Sequence, residues 1–398
     1  MAENGVKNRK KGGIIALAVI LSIVLSLTIF LTLELNLPNL SIKDEGNKDG
    51  AYGFVLANIP GIKEANPRLV DISMLGSHDS NTDQINMKSE TEEFASGTMK
   101  FLTKIGKGLS YRFAKTQTIS VGQQLLQGSR YFHFKYSYTK GDWYATHTLV
   151  SGLTKGYILQ ILEYCDTHPG EIAIIKFQSN NLLDSGKTFA DFHTFLADIK
   201  YNGKNIYDYV HYGDVDIFAK NTGGVKIGDL RYNDLTLNGT SAGLVLIDSR
   251  EKEVHYVPEM EGNPTPYKYK FFDLESHSIQ PWHARNSSKA LMNSIQKTCE
   301  EIEKDPNTFN KLRVIQSQAC ISTKGFVDII NDLFGGSLLH IAEKHNIKVI
   351  TDERINYWLD TMPVLMADFI NTEQGDYNNK VNALMLERNK ALVASILG

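Results

Sequence analysis

Hydrophobic positions fall along this chain in two different ways. At residues 14–33 (IIALAVILSIVLSLTIFLTL) 20 consecutive positions carry no ionisable side chain, enough at about 1.5 Å per residue to cross a hydrocarbon core of about 30 Å. From residue 51 onward the apolar residues come in short runs rich in β-branched and aromatic side chains: 69–75, 131–136, 172–178, 244–248, 269–273, 313–317, 347–351 and 364–368. These eight runs predict strands. Helix-like stretches stand between several of them, at 153–167, 190–199, 290–304 and 326–345. Most runs are apolar at both alternating sets of positions and several end on a polar residue, the pattern of parallel strands buried between helices and a central layer. The expected fold class is therefore α/β: a TIM-type (β/α) barrel, regular or irregular, preceded by one N-terminal transmembrane helix.

The flanks of the long run predict its orientation. Lys7, Arg9, Lys10 and Lys11 precede it against a lone Glu3, and Glu34, Asn36 and Pro38 follow it. A positive flank stays in the cytoplasm, so residues 1–13 read as a cytoplasmic tail, 14–33 as the anchor, 34–50 as a polar linker with Pro and Gly breakers, and 51–398 as a barrel that is extracellular or lumenal. A cleaved signal peptide would carry a shorter apolar core and an A-x-A-like site, which TLELNLP lacks, so a single-pass membrane protein is expected.

Charge and cysteine content narrow the class. The formal net charge is −3, and residues 1–11 carry four basic groups against one acid, which leaves the remainder at −6. A mildly acidic domain is not built for nucleic acid or for broad electrostatic attachment to anionic lipid. The three cysteines, Cys165, Cys299 and Cys320, are too few for a metal cluster or a disulfide framework. They read as buried thiols or at most one bridge.

In such a barrel the chemistry sits where strands end and loops begin. The first run feeds directly into Gly76-Ser77-His78-Asp79-Ser80-Asn81-Thr82. The second carries His133 and Lys135 two positions apart, hence on one face. Asp142-Trp143-Tyr144-Ala145-Thr146-His147 brings another histidine, and the last run ends at Met366-Ala367-Asp368-Phe369.

GSHDSNT, then QxLxxGxRYFxFK, WYATH and a terminal VLMADF together resemble the catalytic X domain of the phosphatidylinositol-specific phospholipases C, closer to the bacterial, metal-free kind. The resemblance spans residues 72–370. It implies cleavage of phosphatidylinositol, or a glycosylated form of it, to diacylglycerol and a cyclic inositol phosphate. Two histidines would trade protons across one phosphorus, as their ordinary pKa allows. By the resemblance His78 is the general base on the inositol 2-hydroxyl and His147 the general acid on the departing oxygen. Asp368 would orient His78 and Asp79 would support His147, although either aspartate also suits an ordinary turn. Lys135 would neutralise the phosphate where eukaryotic relatives place calcium-binding acids, which implies no metal and no cofactor. His133 stands where bacterial members carry aspartate, and Lys135 where they carry arginine, a point charge in place of a bidentate fork. His133, Gln178, Arg250 and Asp273 are the expected substrate contacts.

Two alternatives belong beside this reading: a non-catalytic member of the fold that binds lipid or inositol phosphate, and a phosphodiesterase for another phospholipid. Residues 82–118 form an insertion in which Phe94, Met99, Phe101, Leu102, Ile105, Leu109, Tyr111 and Phe113 interleave with Lys100, Lys104, Lys107, Arg112 and Lys115. It reads as an amphipathic helix packed on the barrel or as a surface resting on the membrane interface.

Overall fold

The computed structural model describes residues 19–22, 24–26, 56–95, 100, 103–104, 106–179, 182, 184–213, 224–249, 270–320, 337–372 and 374–398. Eight parallel strands form the wall of a nearly closed barrel: β1 (Met74–Ser77), β2 (Ser129–Thr139), β5 (Ile172–Ser179), β6 (Gly243–Asp248), β7 (Phe271–Asp273), β8 (Ser278–Ile279), β9 (Leu312–Gln316) and β10 (Val364–Ala367). The order is β7-β6-β5-β2-β1-β10-β9-β8, and every neighbouring pair runs parallel. Among the described residues β7 and β8 do not pair, because only the single turn Leu274–His277 joins them. Strand interiors are apolar as a two-sided layer requires: β6 and β10 are buried at every position.

Helices cover the outside and start on side-chain caps. Ser120 Oγ accepts from Gln123 N ahead of Val121–Leu126, and Thr188, Ser287 and Ser337 cap Phe189–Asp198, Ser288–Ile302 and Leu338–Ile350 in the same way. The helix Tyr377–Leu397 lies at the strand starts, where the buried Asn389 exchanges two 2.8 Å hydrogen bonds with the backbone of Ser73. At the other end β2 outgrows the barrel wall and folds back through Lys140 and Gly141, both with positive φ (54° and 83°), into β3 (Asp142–His147) and β4 (Leu149–Leu153). That backbone is a type I′ turn, which matches strand twist.

Seven of the eight expected strands are present. The exception is 347–351, which is the end of the helix Leu338–Ile350 and the residue after it. A strand and the last turn of a half-buried helix show the same short apolar run. The eighth wall strand, two residues long, offers no run to read. The expected helix at 326–345 is seen only over its described part, beginning at Leu338. The apolar run 14–33 lies mostly outside the described residues; 19–22 and 24–26 are helical and exposed, and no helix among the described residues is long and apolar enough to cross a membrane. No cysteine is in a disulfide; Cys165 and Cys299 are buried and Cys320 is partly exposed.

Candidate active site

The loops at the strand ends are stitched to one another before any chemistry is added. Ser80 N donates to His133 O (2.8 Å), and its Oγ accepts from His133 N (3.0 Å), fixing the loop after β1 against β2. Gln117 Nε2 donates to the carbonyls of His78 and Ala367, both at 3.1 Å, so one amide ties the exits of β1 and β10 together. Thr116 Oγ1 donates to Asp79 O (3.0 Å) and Thr116 O accepts from Phe369 N (2.7 Å). Three residues next to site side chains hold left-handed backbone: Asp79 (φ 41°), Thr148 (φ 66°) and Phe369 (φ 46°). For a β-branched or bulky residue this conformation costs on the order of 1–3 kcal/mol, and the surrounding hydrogen bonds must impose it.

Asp79 is fully buried and forms the hub. Its Oδ2 lies 3.0 Å from Lys135 Nζ and 3.5 Å from His147 Nε2, and its Oδ1 lies 3.1 Å from His133 Nδ1 and 3.7 Å from His78 Nε2. Burial alone would raise its pKa, but the charges of His78, Lys135, His147 and His133 outweigh that and hold it well below the ordinary carboxylate range. Each histidine has its other ring nitrogen anchored. His78 Nδ1 donates to Asp368 Oδ1 (2.8 Å), His147 Nδ1 donates to Ala114 O (2.8 Å), and His133 Nε2 donates to Gln178 Oε1 (2.7 Å). Burial pushes the Asp368 carboxyl up against the opposing pull of His78. Burial, then the charge of Lys135, lowers His147 to about 4, and burial, then Lys176, lowers His133 to about 3.

These groups open into a cavity of about 560 Å³. Its polar side is His78, His133, Lys135, His147, Lys176, Gln178, Gln316 and Asp368; its apolar side is Phe113, Ala319, Cys320, Leu338 and Trp282. A larger cavity of about 730 Å³ at the strand starts contains Arg313 and Arg388 but no histidine, and Arg388 is already paired with Asp360 at 2.6 Å.

Of the expected site residues, His78, Asp79, His133, Lys135, His147, Gln178 and Asp368 are thus brought together. Asp273 is not among them: its carboxylate accepts from Ser276 N (2.9 Å) as the cap of Leu274–His277, and it does not line the cavity. Arg250 lies outside the described residues. Asp79 also meets Lys135 more closely than His147. In the insertion, the helix Lys107–Ala114 packs through Tyr111 and Ala114 against Ile85 and against Leu149 of β4, with Phe113 at the cavity. Residues 96–99, 101–102 and 105 of the insertion lie outside the described residues.

Lys176, Trp282 and Gln280 escaped the sequence reading. Lys176 sits beside His133 in register, one step before Gln178 beside Lys135, so its inward parity was available from the spacing. Burial brings it down to about 7, and its Nζ donates to Gln280 Oε1 (3.0 Å). Gln280 Oε1 also accepts from Tyr131 OH (3.2 Å). The exposed Trp282 stacks over His78 with ring centroids 5.8 Å apart. Nothing in local sequence predicts that contact.

The donors His78, Asp79 and His133 have ligand atoms within 4.8 Å of one another. Calcium takes about six to eight oxygen ligands. A set dominated by imidazole nitrogen, with Lys135 already on the carboxylate, does not fit it.

No family model matches the chain, and no curated protein matches it. Solved structures do. A phosphatidylinositol-specific phospholipase C from Listeria monocytogenes aligns over 84% of this chain and 97% of its own at 16% identity, with a TM-score of 0.49. The phosphatidylinositol-specific phospholipase C of S. aureus aligns over 83% of this chain and 98% of its own at 12% identity, with a TM-score of 0.52. A mutant of that S. aureus enzyme aligns over 84% and 99% at 11% identity, with a TM-score of 0.52. This chain has the fold of the bacterial phosphatidylinositol-specific phospholipases C.

Proposed function

We infer that this protein is a phosphodiesterase that cleaves phosphatidylinositol, or a glycosylated form of it, to diacylglycerol and a cyclic inositol phosphate. The observation that carries the reading is one buried carboxylate, Asp79, within 3.7 Å of three histidines and a lysine that face the same cavity, with Asp368 fixing the tautomer of His78. With Nδ1 donating to Asp368, His78 presents a bare Nε2 to the cavity, the state a general base needs. It takes the proton of the inositol 2-hydroxyl as that oxygen attacks phosphorus. Because the nucleophile belongs to the substrate, much of the entropic barrier is already removed.

Lys135 and Lys176 supply positive charge where the phosphoryl oxygens gain negative charge. His147 gives its proton to the departing glycerol oxygen. In the free protein His147 is mostly neutral near pH 7. An incoming phosphodiester places a negative charge beside it, which raises its pKa and supplies the acid. The lip of Phe113, Leu338 and Trp282 suits the glycerol and first acyl carbons of a lipid. A cytoplasmic basic tail, a membrane anchor at 14–33 and an outward-facing barrel complete the reading and set the domain beside its substrate.

The direct test incubates the full-length protein with radiolabelled phosphatidylinositol and, separately, phosphatidylcholine, both with excess chelator. Release of diacylglycerol from the first alone is expected. Release only from phosphatidylcholine would reassign the head group. No release, with phosphatidylinositol still bound, would make the protein a binding module.

A further inference from the structure

We propose that Asp79 Oδ1, His133 Nδ1 and His78 Nε2 form an inhibitory site for a single zinc-class divalent cation. This rests on the functional reading above only for the word inhibitory; the site itself rests on geometry. His133 Nε2 faces Gln178 Oε1 at 2.7 Å and donates to it, so Nδ1 is a bare lone pair. It lies 3.1 Å from Asp79 Oδ1, and both Asp79 Oδ1 and His133 Nδ1 are buried without a hydrogen-bond partner. Two buried acceptors this close, neither with a donor, can both be satisfied by one shared cation.

His78 Nε2, also a bare lone pair, lies 3.7 Å from the same carboxylate oxygen. A tetrahedral zinc with bonds of about 2.0–2.2 Å places its ligands roughly 3.3–3.5 Å apart. The measured 3.1 and 3.7 Å bracket that edge. The supporting contacts are those a metal site needs as well. Both imidazoles donate their outer nitrogen to an acceptor, Asp368 for His78 and Gln178 for His133, which fixes tautomer and ring orientation. Lys135 stays on Asp79 Oδ2, leaving Oδ1 for the cation, and the cavity leaves room for a fourth ligand. Lys135 and Lys176 oppose the added charge and keep the affinity moderate. A cation bound to His78 Nε2 occupies the lone pair that would take the substrate's proton.

The test titrates the untagged full-length protein, freed of metal by chelator, with ZnCl2 by calorimetry and with CoCl2 by visible absorption. One equivalent is expected, with intense tetrahedral cobalt bands that disappear on adding EDTA. Gln178→Leu, which removes a supporting partner, is expected to weaken binding about 10- to 100-fold, and His133→Asn, which removes a ligand, to weaken it further, each variant being checked for native circular dichroism. Absence of one saturable equivalent in the wild type, or binding unchanged in both variants, overturns the site. Should the variants misfold, the wild-type cobalt spectrum decides, since only the weak band of a six-coordinate ion would contradict it. If phosphatidylinositol is turned over, activity should fall in step with occupancy; turnover indifferent to full occupancy overturns the inhibition. A protein that binds one zinc but cleaves no phosphatidylinositol refutes the functional reading and leaves the site standing.

Discussion

The barrel buries charge at both ends, and the two ends differ in how they satisfy it. At the strand starts Arg130 and Glu171 form a closed pair. The guanidinium reaches Glu171 Oε2 through Nη2 (2.7 Å) and Nε (2.8 Å), and its Nη1 donates to the carbonyls of Leu125 (2.7 Å) and Ser129 (2.9 Å). Glu171 Oε1 accepts from Ala57 N (2.9 Å). One cation answers one anion. At the strand ends Asp368 pairs with His78 alone, while Asp79 is shared among three histidines and Lys135 beside a cavity and is left with Oδ1 unpartnered. The first arrangement holds the wall together. The second keeps unspent proton and charge capacity where a ligand can reach it, and its strained neighbours Thr148 and Phe369 show the fold holding it in place.

Substitutions should separate the two ends, the largest effect first. His78→Ala is expected to cut phosphatidylinositol cleavage about 10²- to 10⁴-fold without lowering the melting temperature. Arg130→Ala should do the reverse, destabilising by about 3–5 kcal/mol through a stranded Glu171, seen in urea unfolding, with kcat per folded molecule unchanged. If both lose stability and activity together, the contrast between the ends fails. Lys135→Ala should cost about 10²- to 10³-fold in kcat, as removal of a positioned donor does, while Lys135→Arg keeps the charge and much of the rate.

A pH series sharpens the contrast further. In the free protein His147 titrates near 4, so the protonated acid is lost as pH rises through that value. On the proposed mechanism the bound phosphodiester raises its pKa. The kcat/KM profile, which reports the free enzyme, should therefore begin to fall at lower pH than the kcat profile. Coincident profiles would show that the phosphate does not charge His147. The smallest effect is expected at Asp273: Asp273→Ala should cost about 0.5–2 kcal/mol as a lost helix cap, with KM unchanged. A raised KM would bring that carboxylate into the site.

The sequence was legible where period and motif coincide. Buried parallel strands announce themselves as apolar runs, and the His78-Asp79 pair and the His133, Lys135 alternation follow from strand parity. Length alone separates a short apolar run in a strand from one at a helix end, which is why 347–351 reads wrongly. The two residues of β8 carry no period at all. Lys176 was readable in principle, a lone cation in an otherwise apolar buried strand. Trp282 over His78 and Gln280 under Lys176 are contacts made across the barrel by a loop, and no local pattern encodes them. Asp273 illustrates the converse: a carboxylate at a strand end serves the backbone as readily as a substrate.

The central claim is that His78 drives attack by the substrate's own hydroxyl across an Asp79-centred site. It is tested most directly by 31P NMR of phosphatidylinositol in detergent micelles turned over by the full-length protein with chelator present. The account predicts the resonance of a five-membered cyclic phosphodiester as first product from the wild type, and none from His78→Ala. Phosphatidylinositol left intact by the wild type, an acyclic phosphate formed first, or an undiminished cyclic signal from His78→Ala would contradict it.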